Sequence, residues 1–567
     1  MKIGFVCKYT PAEVFEAMGD MTGRIEPQVS DFNRADTMMH PNVCSYAKAV
    51  LEEVMAGDWD GVVLTTCCDS IRRLYDVLKN ALPDKFIYLL DVPRKVNDFT
   101  AGLYAKRIRA MLNDYQAFCG KTLDETELSA LLERQRKAAA MADAPTAPGK
   151  RVKLGILGAR CPQGVRDILR ESGGEVVFDL TCTGLNRSFP VTGTEVLTGY
   201  AGALLSQFPC MRMADAVNRP RYWQQMETEV DGILYHTVQF CDNFSFEYSA
   251  LKASLSNRDK PLLELETDCT PQAEGQIRTR LQAFLEALGA AKPGESGAAP
   301  ITIRKGTGKP MMIMGIDSGS TSTNAVILDE NKRLLAHAVV RTGAKSGESA
   351  QKILEMVLER ANLKREDLSA IISTGYGRVS IPFADANVTE ISCHGRGAHY
   401  FDPSVRTILD IGGQDSKAIR LSEQGEVKDF VMNDKCAAGT GRFLEMMART
   451  LELPIEELGP VSLQWTEEVE ISSMCSVFAE SEVISLIARN KEKADIAHGV
   501  HKAIAGRAYS LMRRVGLTPK YMMTGGVAKN PGVVKAVEEK LGDSLVICPE
   551  PEIVGAVGAA LWGLEQA

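Results

Sequence analysis

Two cysteines, Cys436 and Cys475, each stand just ahead of a helix-like segment. The first lies in Asn433-Asp434-Lys435-Cys436-Ala437-Ala438-Gly439-Thr440-Gly441, the second in Ser473-Met474-Cys475-Ser476-Val477-Phe478-Ala479-Glu480. Three strand-like segments nearby end in Asp or Gly. One reaches Asp317 and turns through Ser318, Gly319, Ser320, Thr321 and Ser322. A second reaches Asp410 and turns through Gly412, Gly413 and Gln414. A third, Tyr521–Thr524, ends in Gly525 and Gly526 ahead of a helix. Small residues at a strand end let backbone N–H groups and hydroxyls surround a phosphate. Two such turns, each with a carboxylate, suit a Mg²⁺-triphosphate held between two lobes, and Gly525-Gly526 lets a nucleoside come close. Nucleotide hydrolysis needs no thiol. Cysteines at helix starts in this setting point to a metal cluster coupled to nucleotide state, because helix N-termini offer free N–H donors and positive dipole ends to an anionic thiolate cluster.

More thiols precede this region. Cys67 and Cys68 follow the apolar strand Val62-Val63-Leu64-Thr65, Cys182 follows Val176–Asp179, and Cys241 follows Val238-Gln239-Phe240. These are strand-end loop positions, where ligands of open α/β folds bind. Cys44 lies in Pro41-Asn42-Val43-Cys44-Ser45-Tyr46 and Cys210 in Phe208-Pro209-Cys210. The chain has fourteen cysteines in 567 residues, and its first residues, Met1–Cys7, read as a strand rather than a secretory signal. A cytoplasmic location with reduced thiols, and metal binding in place of disulfides, is the expectation. The net charge of −8 gives no reason to expect nucleic acid or an anionic membrane as partner, and no apolar run is long enough to span a bilayer.

The elements that must position these groups fall into segments. Residues 144–150 and 290–310 are rich in Pro, Ala and Gly and read as linkers. They leave an α/β lobe over 1–143, a second over 151–289, a flexible tether over 290–310 and a two-lobed ATPase over 311–567. In the first two, strands expected at Lys2–Cys7, Gly61–Thr65, Phe86–Leu90, Arg151–Leu157, Glu175–Asp179, Gly232–Tyr235 and Pro261–Glu264 alternate with helices such as Ser70–Ala81 and Gln276–Leu288. Such alternation argues for parallel sheets. Gly555–Leu561 reads as a small-residue helix packed tightly, and Ser392–Gly397, containing His394, as a turn near the nucleotide region.

The ordered set over 311–567 resembles the actin, Hsp70 and sugar-kinase ATPase superfamily. That resemblance implies that Asp317, Asp410 and Gln414 position Mg²⁺ and the attacking water, and that Gly525 and Gly526 border adenosine. The sequences around Cys436 and Cys475 are similar to activator ATPases of 2-hydroxyacyl-CoA dehydratases and benzoyl-CoA reductases. The likeness implies a homodimer holding one [4Fe-4S] cluster on its two-fold axis through Cys436 and Cys475 of each subunit. Residues 1–290 resemble 2-hydroxyacyl-CoA dehydratase subunits and double-cubane cluster proteins, with two Rossmann-like or flavodoxin-like lobes. Three thiols, Cys44, Cys67 or Cys68, and Cys241, match the dehydratase pattern. The surplus at Cys68, Cys182, Cys210, Cys269, Cys7 and Cys161 favours an [8Fe-9S] double cubane over a second [4Fe-4S] cluster. Cys119, Cys393 and Cys548 read as structural.

Together these resemblances imply an ATP-hydrolysing iron–sulfur reductase. A donor such as ferredoxin or flavodoxin would load the bridging cluster, and the N-terminal half would reduce a small molecule. A self-activating dehydratase with one [4Fe-4S] site, a kinase of the same superfamily, and a redox sensor that only switches shape are the alternatives.

Overall fold

The structure is a computed structural model describing residues 1–142, 151–184, 187, 189–190, 195–224, 226–256, 260–270, 274–289, 303, 310–343, 345–433, 437–471 and 476–566. Residues 144–150, most of 290–310, and Cys436 and Cys475 lie outside the described residues. Two compact units divide at residue 290.

The N-terminal unit holds two four-stranded, all-parallel sheets with one repeated topology. Strands β1 (Lys2–Phe5), β2 (Met21–Arg24), β3 (Gly61–Thr65) and β4 (Phe86–Leu90) lie in the order β2-β1-β3-β4. Strands β5 (Val152–Gly158), β6 (Gly174–Asp179), β7 (Gly232–Val238) and β8 (Leu262–Thr267) lie in the order β6-β5-β7-β8. Each sheet reverses winding direction between its first and third strands, the place where flavodoxin-like folds bind ligands. One apolar core takes residues from both lobes, including Val62, Leu64 and Leu74 from the first and Leu157, Ile233 and Tyr235 from the second.

Three strand boundaries differ from expectation by two residues or more, and one of them, β8, runs on past Glu264 to Thr267 alongside β7. Strand β1 stops at Phe5 because the chain turns at Cys7, whose carbonyl accepts from the Thr10 N–H at 3.0 Å. Strand β7 runs unbroken to Val238 because His236, polar by type, is fully buried and faces the Thr267 hydroxyl at 3.2 Å.

The C-terminal unit holds two five-stranded sheets, again of one repeated topology. Strands β9 (Met312–Ser318), β10 (Ser322–Asp329), β11 (Leu334–Arg341), β12 (Ala370–Thr374) and β13 (Ala386–Asn387) lie in the order β11-β10-β9-β12-β13. Strands β14 (Thr407–Ile411), β15 (Ser416–Leu421), β16 (Val427–Asn433), β17 (Tyr521–Thr524) and β18 (Leu545–Val546) lie in the order β16-β15-β14-β17-β18. Each sheet is an antiparallel meander extended by parallel strands. The helix Val554–Glu565 packs on the helix Glu390–Phe401 so closely that a Cβ on Gly558 would lie 1.8 Å from the Cys393 carbonyl oxygen.

Candidate functional sites

The phosphate turns of the C-terminal unit face each other. A Cβ on Gly413, after β14, would sit 1.8 Å from Thr321 Oγ1, after β9, so only glycine allows this approach. Gly525 adopts φ +83° and lies against the Asp410 strand, where a Cβ would be 2.8 Å from Asp410 Oδ1. The hydroxyls of Ser318, Thr321 and Thr374 are buried without a hydrogen-bond partner. Buried hydroxyls are almost always paired, so this orphaned set beside Asp317 fits phosphate oxygens and a hydrated cation. Gly319, Ser320, Ser322 and Gly412 are half-buried in the same turns, with the Gly319 N–H donating to the Ser322 carbonyl at 3.0 Å. Gln414 and Gly526 are exposed.

The two aspartates differ sharply. Burial, helped by Glu390 and Asp410, pushes the Asp317 carboxyl up to about 8. Burial also opposes ionisation of Asp410, but His394, Lys417 and the Thr524 hydroxyl outweigh it and bring that carboxyl down to about 2. Lys417 is fully buried with Asp415 at 2.7 Å, Asp410 at 3.1 Å and Glu390 at 3.7 Å. Environments that split two carboxylates in this way divide their roles. Asp410 is held ionised at neutral pH, while Asp317 waits for a positive charge.

His394 is not in a turn. It lies inside the helix Glu390–Phe401, whose glycines serve close packing: a Cβ on Gly397 would meet the Val554 carbonyl oxygen at 2.0 Å. The His394 ring spans both lobes, with Nδ1 3.3 Å from Thr524 Oγ1 and 3.7 Å from Asp410, and Nε2 3.9 Å from Asp317. Burial lowers its affinity for a proton, against the pull of Asp410. Glu390, Asp415 and Lys417 were not singled out from sequence. Lys417 lies seven residues beyond Asp410 on the return strand of the hairpin, a signal that was present, whereas Glu390 meets it only through tertiary packing.

In the N-terminal unit, the described thiols converge. Cys7, Cys67, Cys68, Cys182, Cys210, Cys241 and Cys269 pack against the shared core that contains Cys44. Six of these eight follow the carboxyl ends of strands: Cys7 after β1, Cys67 and Cys68 after β3, Cys182 after β6, Cys241 after β7 and Cys269 after β8. These thiols act on one another's ionisation in neighbouring sets, Cys7 with Cys67, Cys67 with Cys68, Cys44 with Cys241, and Cys182 with Cys210. In the last pair the Cys182 thiol draws Cys210 toward thiolate, with Lys8 and Arg219 adding to the effect, and Cys182 itself is pushed up. The six cysteines expected here, Cys44, Cys67, Cys68, Cys182, Cys210 and Cys241, are thus brought to one core, and Cys7 and Cys269 join them. Cys161 lies apart, its N–H donating to Thr183. Among the described residues, no three or more His, Cys, Asp or Glu side chains close on a single metal position. A soft donor set spread over several sulfur pairs fits a multi-iron cluster better than one ion. Phe240 and Cys269 both have positive φ, 62° and 66°, rare for such residues and costly where nothing is gained from it.

Residues 314–563 match the BadF/BadG/BcrA/BcrD ATPase family. They are 49% identical, over 257 residues, to an activator of lactoyl-CoA dehydratase from Anaerotignum propionicum, covering 99% of that protein and 45% of this chain. The chain belongs to this ATPase family. The (R)-2-hydroxyglutaryl-CoA dehydratase activating ATPase of Acidaminococcus fermentans is 46% identical over 255 residues, with 97% of it and 45% of this chain covered. A solved activator of the 2-hydroxyisocaproyl-CoA dehydratase from Clostridium difficile, with bound ADPNP, is 42% identical, covers 45% of this chain and 95% of its own, and gives a TM-score of 0.44. The ATPase-family match leaves the first 290 residues uncovered. Those match a second family, 2-hydroxyglutaryl-CoA dehydratase, D-component, over 7–144 and 136–288. No helix among the described residues is long and apolar enough to cross a membrane.

Proposed function

We propose that this chain is an ATP-driven, low-potential electron-transfer protein with donor and acceptor joined in one polypeptide. The observation that carries the reading is the convergence of eight thiols on one core in a chain that also carries an activator-type ATPase. Cys7, Cys44, Cys67, Cys68, Cys182, Cys210, Cys241 and Cys269 are the pool from which an iron–sulfur cluster would draw its ligands, a double-cubane [8Fe-9S] in preference to a single [4Fe-4S]. Such a cluster supplies one-electron storage at low potential. Cys436 and Cys475 would hold a second, [4Fe-4S], cluster shared with another copy of the chain. The electron would come from an external ferredoxin or flavodoxin, and a small molecule would receive it.

On the ATPase side, Asp317 and Asp410 would hold Mg²⁺, which supplies charge neutralisation at the phosphates. The Ser318 and Thr321 hydroxyls and the backbone N–H groups of both turns receive phosphate oxygens. Asp410, kept ionised by Lys417, would orient the attacking water as ATP and water become ADP and phosphate. Gly525 and Gly526 leave room for adenosine. Nucleotide gives the electron step its direction only through different affinity for two conformations.

Iron and acid-labile sulfide per chain, on full-length protein purified without oxygen, test the reading. About ten irons per chain are expected, eight in the N-terminal unit and two as half of a shared cluster. About six would leave the dehydratase-type single cubane, and none would overturn the redox function in favour of a kinase.

A further inference from the structure

Lys8 is 2% exposed, yet no carboxylate lies within ion-pair distance of its ammonium among the described residues. Its neighbours in charge are otherwise treated. Arg187, whose Nη1 donates to the Lys8 carbonyl at 3.0 Å, is paired with both Glu13 oxygens at 2.6 and 2.7 Å. Arg219, which donates to the Pro209 carbonyl, is paired with Glu247. The Lys8 ammonium has the Phe208 carbonyl and the rings of Tyr9 and Phe208, with centroids at 5.3 and 5.4 Å. A buried charge that lacks a partner costs several kcal/mol, and aromatic faces and one carbonyl repay only part of that.

The place is specific. Lys8 follows Cys7 at the end of β1, and the carbonyl it holds stands two residues before Cys210. The Cys210 N–H donates to the Tyr9 hydroxyl at 3.1 Å, fastening the same two segments. Arg24 closes the third side, donating to the Cys182 carbonyl at 2.5 Å. The side chains whose ionised form would act favourably on Lys8 are the thiols of Cys182, Cys210 and Cys7, while Arg219 repels it.

We infer that the Lys8 ammonium is the counter-ion of the sulfur site, and that it sets the midpoint potential of the group these thiols hold. The inference rests on the reading of the thiols as a cluster site. Each electron added to that group adds negative charge beside a fixed buried cation in a medium of low dielectric, which favours the reduced form.

The test uses full-length Lys8→Met and Lys8→Arg, purified without oxygen beside wild type, with iron and sulfide counted and the midpoint read by potentiometric titration of the iron–sulfur absorbance and EPR signal. The expected result is wild-type iron in all three, a midpoint moved to lower potential in Lys8→Met, and a midpoint close to wild type in Lys8→Arg. Iron lost from Lys8→Met but kept in Lys8→Arg also supports the inference, since the charge is then required to retain the group. A fully loaded Lys8→Met with an unmoved midpoint, a Lys8→Arg displaced as far as Lys8→Met, or iron lost from both overturns it. A wild-type protein without iron fails the cluster reading itself, which these outcomes leave distinguishable.

Discussion

Two fully buried lysines mark the difference between the two units. Lys417 in the ATPase cleft is surrounded by Asp415, Asp410 and Glu390 at 2.7 to 3.7 Å, and their carboxylates outweigh its burial and raise its affinity for a proton. Lys8 in the sulfur pocket has no carboxylate partner among the described residues, and burial lowers its affinity for a proton. The nucleotide site is therefore built from charges that balance within the protein. The sulfur site is built from a cation and thiols whose balance depends on what the thiols become. The first site is organised without a ligand, and the second would be completed by the proposed cluster.

The sharpest way to break this comparison is to remove both ammonium groups in the same manner. Lys417→Met leaves three carboxylates buried around an apolar side chain. A loss of about 3–5 kcal/mol in the ATPase unit's stability is expected, together with a fall of about 10²-fold in phosphate release as Asp410 loses the charge that keeps it ionised. Lys8→Met removes a cation that has no carboxylate partner among the described residues, so the iron-free N-terminal unit should keep its stability or gain some. Denaturant unfolding of iron-free protein checks both. Equal losses would mean that Lys8 has a partner as strong as the three carboxylates.

A second contrast lies in packing. Gly558→Ala places a methyl 1.8 Å from the Cys393 carbonyl oxygen where the helices Val554–Glu565 and Glu390–Phe401 pack together. Backbone, unlike a side-chain tip, cannot turn away, and a cost of about 3 kcal/mol is expected. Thermal unfolding measures it. Because Gly555 on the same helix lies against both Asp317 and His394, nucleotide affinity should fall as well.

Much of the ATPase cleft was legible in the sequence because its turns are local. Asp317, Ser318 and Thr321 lie within five residues, and so do Asp410, Gly412 and Gly413. What was not legible is what joins them. Glu390 and His394 come from a helix that reaches both turns only after two sheets have folded, and the glycines around His394 resemble a turn until their packing partner is known. In the N-terminal unit the strand-end position of Cys67, Cys182 and Cys241 was visible, and so was the surplus of thiols. Their convergence was not, since it depends on two separately wound sheets sharing one core. Cys7 and Cys269 stood out only as spare thiols for that reason, and Lys8, one residue past the expected strand Lys2–Cys7, carries no signal of its own in the sequence.

Acid reaches both units by the same route, which limits how far the comparison extends. Burial holds His236 in the sulfur unit and His501 in the ATPase unit down at about 3, so both are neutral in the folded protein. Below about 6.5 the unfolded chain takes up protons there and the folded chain does not, so stability is present above that pH and is lost as pH falls toward 3. Each histidine accounts for about 2 kcal/mol between pH 6.5 and 5. His236→Gln should flatten the pH dependence of the N-terminal unit's unfolding free energy over that range and leave that of His501 in place. An unchanged slope would show that His236 takes up a proton in the folded state.

The smallest effect concerns glycines that carry no such constraint. Gly506 lies inside the helix Lys493–Val515 and Gly102 inside Asp98–Cys119, and a Cβ on either meets nothing within 4 Å. Neither has the positive φ that would oppose a side chain. Alanine in a helix interior is favoured over glycine by up to about 1 kcal/mol, mainly because the unfolded chain has less freedom to lose. Gly506→Ala should therefore raise the ATPase unit's melting temperature and Gly102→Ala that of the sulfur unit, each slightly, with phosphate release and iron content unaltered. Glycine at 506 and at 558 differ only in what stands opposite them, so a loss of stability at 506 would show that this helix face, open among the described residues, is covered in the working protein.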